Sequence, residues 1–389
     1  MIDIAAVRAD TPASANLIHF NNAGASLMPE PVYRALTGHL ARELEIGGYE
    51  AEDEAADGLS SFYTGMAGLL GADPSEIAFV ENATRAWDMA FYSLPLKEGD
   101  RILTHESEYA SNYLAYMHLA RRRGVAIDVV PSDSHGQIDV KALAAMIGPK
   151  SRLIAITHVP TQGGLVNPAA EVGRIARRHG LTYLLDACQS VGQMEVDVGA
   201  IGCHMLSGTG RKFLRGPRGT GFLYVSNEII ADLDPPFIDL HAARWTSAAA
   251  YELAHGAKRF ENWESNVAGR LGLAEAVRYA TAIGVAAIEK RCAELADTLR
   301  RALAALPGVT IRDRGARRCA IVTFTLEGEA APQVARRLTA SRINVTHATP
   351  YSARLDFERR QLAGVVRASI HYYNTEDEID RFCRALRNA

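Results

Sequence analysis

Residues 153–186 read LIAITHVPTQGGLVNPAAEVGRIARRHGLTYLLD, and this stretch decides the fold. Leu153–Thr157 and Leu181–Asp186 are apolar runs of strand length. Between them, Pro168–His179 places Val172, Ile175, Ala176 and His179 on one helical face. Proline suits a first helical turn, where its missing N–H is one the helix cannot use, and Gly180 suits the stop. The unit is therefore strand–helix–strand.

Outward from this unit the pattern continues. Ile77–Val80, Arg101–Thr104, Ala126–Val130 and Gly221–Val225 are further strand-like runs rich in Ile, Val and Leu. Such alternation predicts an α/β fold whose large, mostly parallel sheet is covered by helices on both faces. Near residue 265 the character changes. Helical segments over Ala268–Ala282 and Ala286–Leu306 lead to Pro307–Gly308, then to strand-like Val309–Arg312 and Ala320–Leu326, then to helix again. This tail predicts a smaller C-terminal α/β domain joined by the first residues of the chain. The expected division is 16–264 for the large domain, and 1–15 with 265–389 for the small one.

Composition narrows the function classes. The chain has 389 residues, 48% hydrophobic and 22% charged, with a formal net charge of −3, so no polyanionic partner is implied. The basic runs Arg121–Arg123 and Arg314–Arg318 follow apolar stretches and read as solvated faces; nucleic-acid binding is not expected. Five cysteines, scattered and without a C-x-x-C pair, argue against a disulfide framework and a zinc site, and no metal is expected. The start shows no basic segment followed by an apolar one, and the apolar runs are too short to span a bilayer. A cytoplasmic protein without membrane association is the expectation.

Two short segments carry chemistry. Leu184-Leu185-Asp186-Ala187-Cys188-Gln189 puts an acid at the C-terminal end of a strand, where ligands bind in open α/β sheets. Residues 207–221, SGTGRKFLRGPRGTG, set Lys212 among glycines and hydroxyls without matching the phosphate-loop pattern. A pyridinium electron sink needs an acid against its ring nitrogen, an amine to hold it covalently, and hydroxyl and backbone donors for its phosphate. Asp186, Lys212 and the Ser207/Thr209 segment supply that set.

With these residues the sequence resembles the class V aminotransferases. That fold-type I group includes cysteine desulfurases, isopenicillin-N epimerases and hercynylcysteine sulfoxide lyases. The likeness runs from Asn21-Asn22-Ala23-Gly24 to Arg367-Ala368-Ser369-Ile370-His371-Tyr372-Tyr373-Asn374. It implies the fold-type I transferase architecture with pyridoxal 5'-phosphate held as a Schiff base by Lys212. It sets Asp186 on the ring nitrogen, Gln189 on the phenolic oxygen and Tyr109 over the ring. Ala83 and Thr84 open a helix whose N-terminus takes the phosphate, completed by Thr209 and Arg211. Thr161 stands where many relatives place an Asn that contacts cofactor or substrate. Arg367 would clamp the carboxylate of an amino-acid substrate through its planar fork, an ion pair with Glu376 being the alternative. Asn22, Ala23 and His371 fall on the substrate side, with His241, Arg244 and His347 as further candidates. The resemblance also implies a homodimer with shared active sites, in which the loop Arg259–Asn266 reaches the partner's phosphate. Glu264 stands where relatives have Thr, so Ser265 or Asn266 is expected to make that contact.

Departures from the family sharpen the expected reaction. Cysteine desulfurases carry a nucleophilic Cys shortly before the carboxylate arginine, but Ile343–Asp356 contains none, and a persulfide requires a thiolate. Cys188 is expected to point away from the ring as a core thiol. Glu45–Glu50, and Arg211-Lys212 with Gly216–Gly219, resemble hercynylcysteine sulfoxide lyases. The expected activity is thus β-elimination by a carbon–sulfur lyase of that type, with transamination or epimerisation as alternatives.

Overall fold

The computed structural model describes residues 2–387. Seven strands make the main sheet, in the order Ile77–Val80, Gly221–Val225, Met205–Thr209, Thr182–Asp186, Ser151–Thr157, Arg101–His105, Ala126–Val130. All but Gly221–Val225 run the same way; that strand is antiparallel to both neighbours. Helices cover both faces, so the inner strands are buried almost throughout and their sequences are continuous apolar runs rather than alternating ones. Helix Ala169–Arg178 buries Val172 and Ala176 as its periodicity requires. Its Gly173 permits a close crossing, because a Cβ there would lie 1.8 Å from the Ile201 carbonyl oxygen.

Met205–Thr209 is a fully buried central strand, although its glycine and hydroxyls read as a loop. The physical reason is packing. Gly208 pairs with Phe222 on the next strand, and a Cβ on Gly208 would lie 2.1 Å from the Phe222 ring. The glycine makes room for an aromatic side chain, and Ser207 pairs with Asp186 on the neighbouring strand.

A second, antiparallel sheet of four strands follows the order Val309–Ile311, Ile321–Leu326, Val365–Ser369, Thr346–Ala348. Ile18–His19 pairs in parallel with Ile343–Asn344, which stitches the chain's start to this smaller unit. Ile18 and Phe20 share its core with Leu295, Leu299, Val322 and Phe382. At the other side, helix Val267–Ile283 packs on helices Glu30–Ile46 and Ala56–Leu70 of the large unit, burying Leu273, Val277 and Ala280 with Phe62 and Met66. The chain then bends by 78° into Val285–Ala304, which belongs to the small unit. We therefore place the division near Gly284 rather than 265, and assign Ile18–Phe20 to the small unit. Among the described residues no single helix is long and apolar enough to cross a membrane.

Candidate active site

Adjacent parallel strands end at Thr157, Asp186 and Thr209, and the segments that leave them enclose a cavity of about 350 Å³. Ala83, Thr84, Tyr109, Thr161, Asp186, Gln189, Thr209, Arg211 and Lys212 all line it. Nine positions scattered over 130 residues of sequence meet because parallel strands deliver their C-terminal ends to one edge of the sheet.

Asp186 Oδ2 accepts from Asn112 Nδ2 at 3.0 Å, and Oδ1 accepts from the Cys188 backbone N–H at 2.9 Å. That second bond turns the chain out of the strand, so side-chain alternation stops at Asp186. Cys188 therefore lines the cavity and does not point away from it, contrary to expectation. Burial, with the Asp186 charge, pushes its thiol far above the ordinary range.

Lys212 is buried among these groups. Loss of solvent lowers the pKa of its amine, Arg211 and Arg367 add to the effect, and Cys188 and Asp186 oppose it. The lysine loop is fixed by Arg215 N–H donating to the Lys212 carbonyl at 2.9 Å and by Gly216 N–H donating to the Gly210 carbonyl at 2.8 Å.

Helix Ala83–Tyr92 begins at the cavity wall. Asn82 caps it by accepting from Arg85 N–H at 2.9 Å. The first amides, at Ala83 and Thr84, have no intrahelical partner and suit an anion. Gly221 lets the sheet approach this turn, since a Cβ there would lie 2.7 Å from the Asn82 carbonyl carbon.

A hydrogen-bonded chain links the remaining polar groups. Gln189 Nε2 donates to the Ala23 carbonyl at 3.1 Å and to Thr161 Oγ1 at 3.2 Å. Thr161 also accepts from Arg367, whose Nη1 reaches both its hydroxyl and, at 3.1 Å, its carbonyl. Arg367 does not pair with Glu376; Arg291 takes that carboxylate at 2.6 Å. Burial, with Arg211 nearby, lowers the Arg367 pKa to about 10, so the group stays charged at neutral pH. Arg211 donates to the Gly24 carbonyl, and Tyr109 stands half-buried at the rim.

Several expected residues lie elsewhere. His371 is fully buried; its Nε2 donates to the Phe213 carbonyl at 2.9 Å and its Nδ1 accepts from Tyr372 N–H at 3.0 Å. Nε2 thus braces the lysine loop and Nδ1 the adjoining backbone, and His371 does not line the cavity. Asn22 is equally committed, donating to the Ser369 carbonyl at 2.8 Å and accepting from Tyr373 Oη at 2.5 Å. Ala23 meets the site only through its carbonyl on Gln189. His241 bonds Glu261, Arg244 pairs with Glu252 on an exposed hairpin, and His347 is exposed; none lines the cavity. Glu108 and Asn112 were missed. Their signal was the four-residue spacing around Tyr109, which aligns them on one helical face.

The residues present fit pyridoxal phosphate. The cavity is lined by an acid, a buried amine, and the first residues of a helix with the Thr84 hydroxyl. Gln189 Oε1 and Arg367 Nε are buried polar atoms that no protein group satisfies.

The sequence matches the class-V aminotransferase family over residues 18–382. A probable cysteine desulfurase of Methanothermobacter thermautotrophicus is 31% identical over 379 residues, covering 96% of this chain and 94% of that protein. Another, from Xylella fastidiosa, is 31% identical, covering 95% and 90%. The apo cysteine desulfurase from Thermococcus onnurineus NA1 superposes with a TM-score of 0.93 at 28% identity, over 100% of this chain and 98% of that one. The cystine C–S lyase C-DES shares the fold, with a TM-score of 0.88 at 24% identity over 97% and 99% of the two chains. The chain belongs to the class V aminotransferase family of pyridoxal-phosphate-dependent enzymes.

Proposed function

We propose that this enzyme cleaves the C–S bond of a cysteine-derived amino acid by β-elimination, releasing a keto acid and ammonia, with a cysteine sulfoxide of the hercynylcysteine type as the substrate class. One observation carries this reading: the cavity holds deprotonation groups but no activated thiol to receive sulfur. The loop Thr349–Ala353 borders the site, because the Ser352 carbonyl accepts from Ala110 N–H beside Tyr109 at 3.0 Å, and it contains no Cys. Cys203, Cys292, Cys319 and Cys383 are buried elsewhere, and burial raises the pKa of each. The relatives named cysteine desulfurases support a sulfur-bearing substrate.

Bound cofactor supplies an electron sink for the pair released at Cα. Arg367 binds the substrate carboxylate and orients the Cα–H bond. Lys212, an amine made less basic by burial, takes the Cα proton and then returns it to the departing sulfur group. Asp186 holds the proton on the ring nitrogen. The Cα–H and Cβ–S bonds break, a Cα=Cβ bond forms, and the resulting enamine hydrolyses to keto acid and ammonia.

A homodimer with shared sites completes the proposal. Leu40, Tyr49 and Trp263 line one surface hollow, Leu240 and Trp245 the adjoining one, and His241 joins them into a single apolar patch. Arg85, one residue after Thr84, contacts Asn262 at 3.5 Å, so this patch abuts the phosphate end of the cavity. Asn266 spends its side chain capping helix Val267–Ile283, which leaves Ser265 for the partner's phosphate. Five unpaired cysteines suit a reducing cytoplasm.

The test is to supply S-substituted cysteines and their sulfoxides without any keto acid, in deuterated water. Pyruvate and ammonia over many turnovers are expected. One keto acid per site with loss of the cofactor's visible band would establish transamination instead, and Cα deuteration without ammonia would establish epimerisation.

A further inference from the structure

Asp186 is linked to a second carboxylate that does not line the cavity. Glu108 is buried, and Asn112 bridges it to Asp186: the single Nδ2 group donates to Asp186 Oδ2 at 3.0 Å and to Glu108 Oε1 at 2.9 Å. An amide NH2 has two hydrogens, so this one is fully used in holding the two acids. Glu108 Oε1 also accepts from Tyr109 N–H at 2.9 Å and from the Thr157 hydroxyl. Its Oε2 accepts from Thr104 Oγ1 at 3.1 Å and Tyr116 Oη at 3.3 Å. The donors come from strands Arg101–His105 and Ser151–Thr157 and from helix Ala110–Arg123 with its cap. The titratable groups that face Glu108 from these elements and from Thr182–Asp186 are Asp186 and Tyr116.

An ordinary core position would not gather five donors onto a carboxylate. Burying that charge is costly, and a Gln or Leu would fill the space at lower cost. The carboxylate also sits on two cavity residues at once. It grips the backbone of Tyr109 at the rim and, through Asn112, the Asp186 carboxylate. We propose that Glu108 is a positioning residue for the cofactor: through Asn112 it fixes the Asp186 carboxylate and adds a second negative charge near it, which strengthens the hold of Asp186 on the ring-nitrogen proton. This rests on the reading that Asp186 faces the pyridine nitrogen. Burial, and then the Asp186 charge, raise the Glu108 pKa to about 7.

The experiment uses holoenzyme reconstituted with cofactor labelled with nitrogen-15 in the ring. The nitrogen resonance is followed against pH, together with kcat and KM. Glu108→Gln keeps the shape and removes the charge. The ring-nitrogen midpoint is expected to fall by roughly one pH unit, a tenfold loss of proton affinity. The value of kcat should fall with KM little changed. Asn112→Ala, which leaves Glu108 in place and cuts the bridge, should give the same spectral shift; it serves as the second variant should Glu108→Gln not fold. Wild-type nitrogen titration in the variants, with Asp186→Asn clearly shifted, overturns the role of Glu108 alone. Wild-type titration in Asp186→Asn as well overturns the placement of Asp186, and this inference with it.

Discussion

Lys212 is a lysine made less basic by its surroundings, burial first and then the charges of Arg211 and Arg367. That is the condition for an amine to bind an aldehyde and later move a proton near neutral pH. Borohydride treatment of the yellow holoenzyme should therefore fix the cofactor mass on the Lys212 peptide alone, and Lys212→Ala should abolish the label; a label on another lysine would refute the assignment. Burial lowers the pKa of five histidines, His19, His105, His158, His204 and His371. It takes the pKa of His105 and His371 to about 3 and that of His158 to about 4, with Arg359, Arg215 and Arg317 adding smaller effects. These last three are neutral when folded and regain ordinary values near 6.5 when unfolded. Between about pH 4 and 6.5 the unfolded chain thus binds more protons, so stability falls as pH falls, by roughly 1.4 kcal/mol per pH unit for each histidine. Urea midpoints at pH 7.5, 6 and 5 should drop accordingly, and His371→Gln should lessen the slope. The sequence marked Asp186 and Lys212 as candidates through their combination and the family resemblance, and the folded chain brings both to one cavity. The sequence did not reveal His371, whose ring nitrogens are spent on the Phe213 and Tyr372 backbones by contacts that only the folded chain creates.

At the scale of elements, the strands that are uniformly apolar were legible, and the one that is not was missed. Met205–Thr209 hides its strand character because Gly208 yields its volume to Phe222 across the sheet, a pairing invisible along the chain. Cys188 misled for a related reason: period-two alternation holds only while the strand lasts, and Asp186 ends it. Helix Val267–Ile283 packs on Glu30–Ile46 and Ala56–Leu70, which the sequence could not show, since periodicity gives the apolar face and not what covers it. The contact between strand and helix at Gly221 makes a prediction at this scale. An added methyl would press on the Asn82 backbone and displace the first turn that presents Ala83 and Thr84. Gly221→Ala should lower stability by about 1–3 kcal/mol and weaken cofactor binding in equilibrium dialysis; unchanged affinity would remove that helix start from the phosphate site. Arg215 ties three elements together. It is fully buried, donates to the Leu27 carbonyl, Tyr372 Oη and Thr11 Oγ1, and lies over the Tyr373 ring. Arg215→Met would leave those acceptors unsatisfied and should cost about 3 kcal/mol or more in urea unfolding.

The surface of the whole molecule gives the last prediction. A lone chain would expose Leu44 at 90%, Leu240 and Trp245 at 72%, and Tyr251 and Trp263 over more than half their area. Scattered apolar residues are normal on a surface, but Leu240, Trp245 and Trp263 line adjoining hollows that share His241, and we propose this as the face that a second copy covers. The hairpin Ala243–Leu253 projects from this side with Trp245 and Tyr251 as cross-strand partners, a shape with little to bury against in its own chain. The same side carries Asn262 against Arg85, next to the helix that begins at Ala83. A second copy seated there would cover the aromatic side chains and bring its Ser265 toward the phosphate end of the first cavity. Cofactor retention and self-association should then be one property. Sedimentation velocity of the holoenzyme should show a dimer, and Leu240→Asp with Trp245→Glu should shift it toward monomer, because an interface core cannot solvate introduced carboxylates. The monomerised protein should keep its fold by circular dichroism yet lose cofactor on dialysis, with affinity reduced roughly tenfold or more for a lost charge-assisted phosphate contact worth about 1.5–3 kcal/mol. Ser265→Ala should reproduce the weaker affinity without dissociating the dimer. A monomer that retained cofactor and full activity at high dilution would show that each chain builds its site alone.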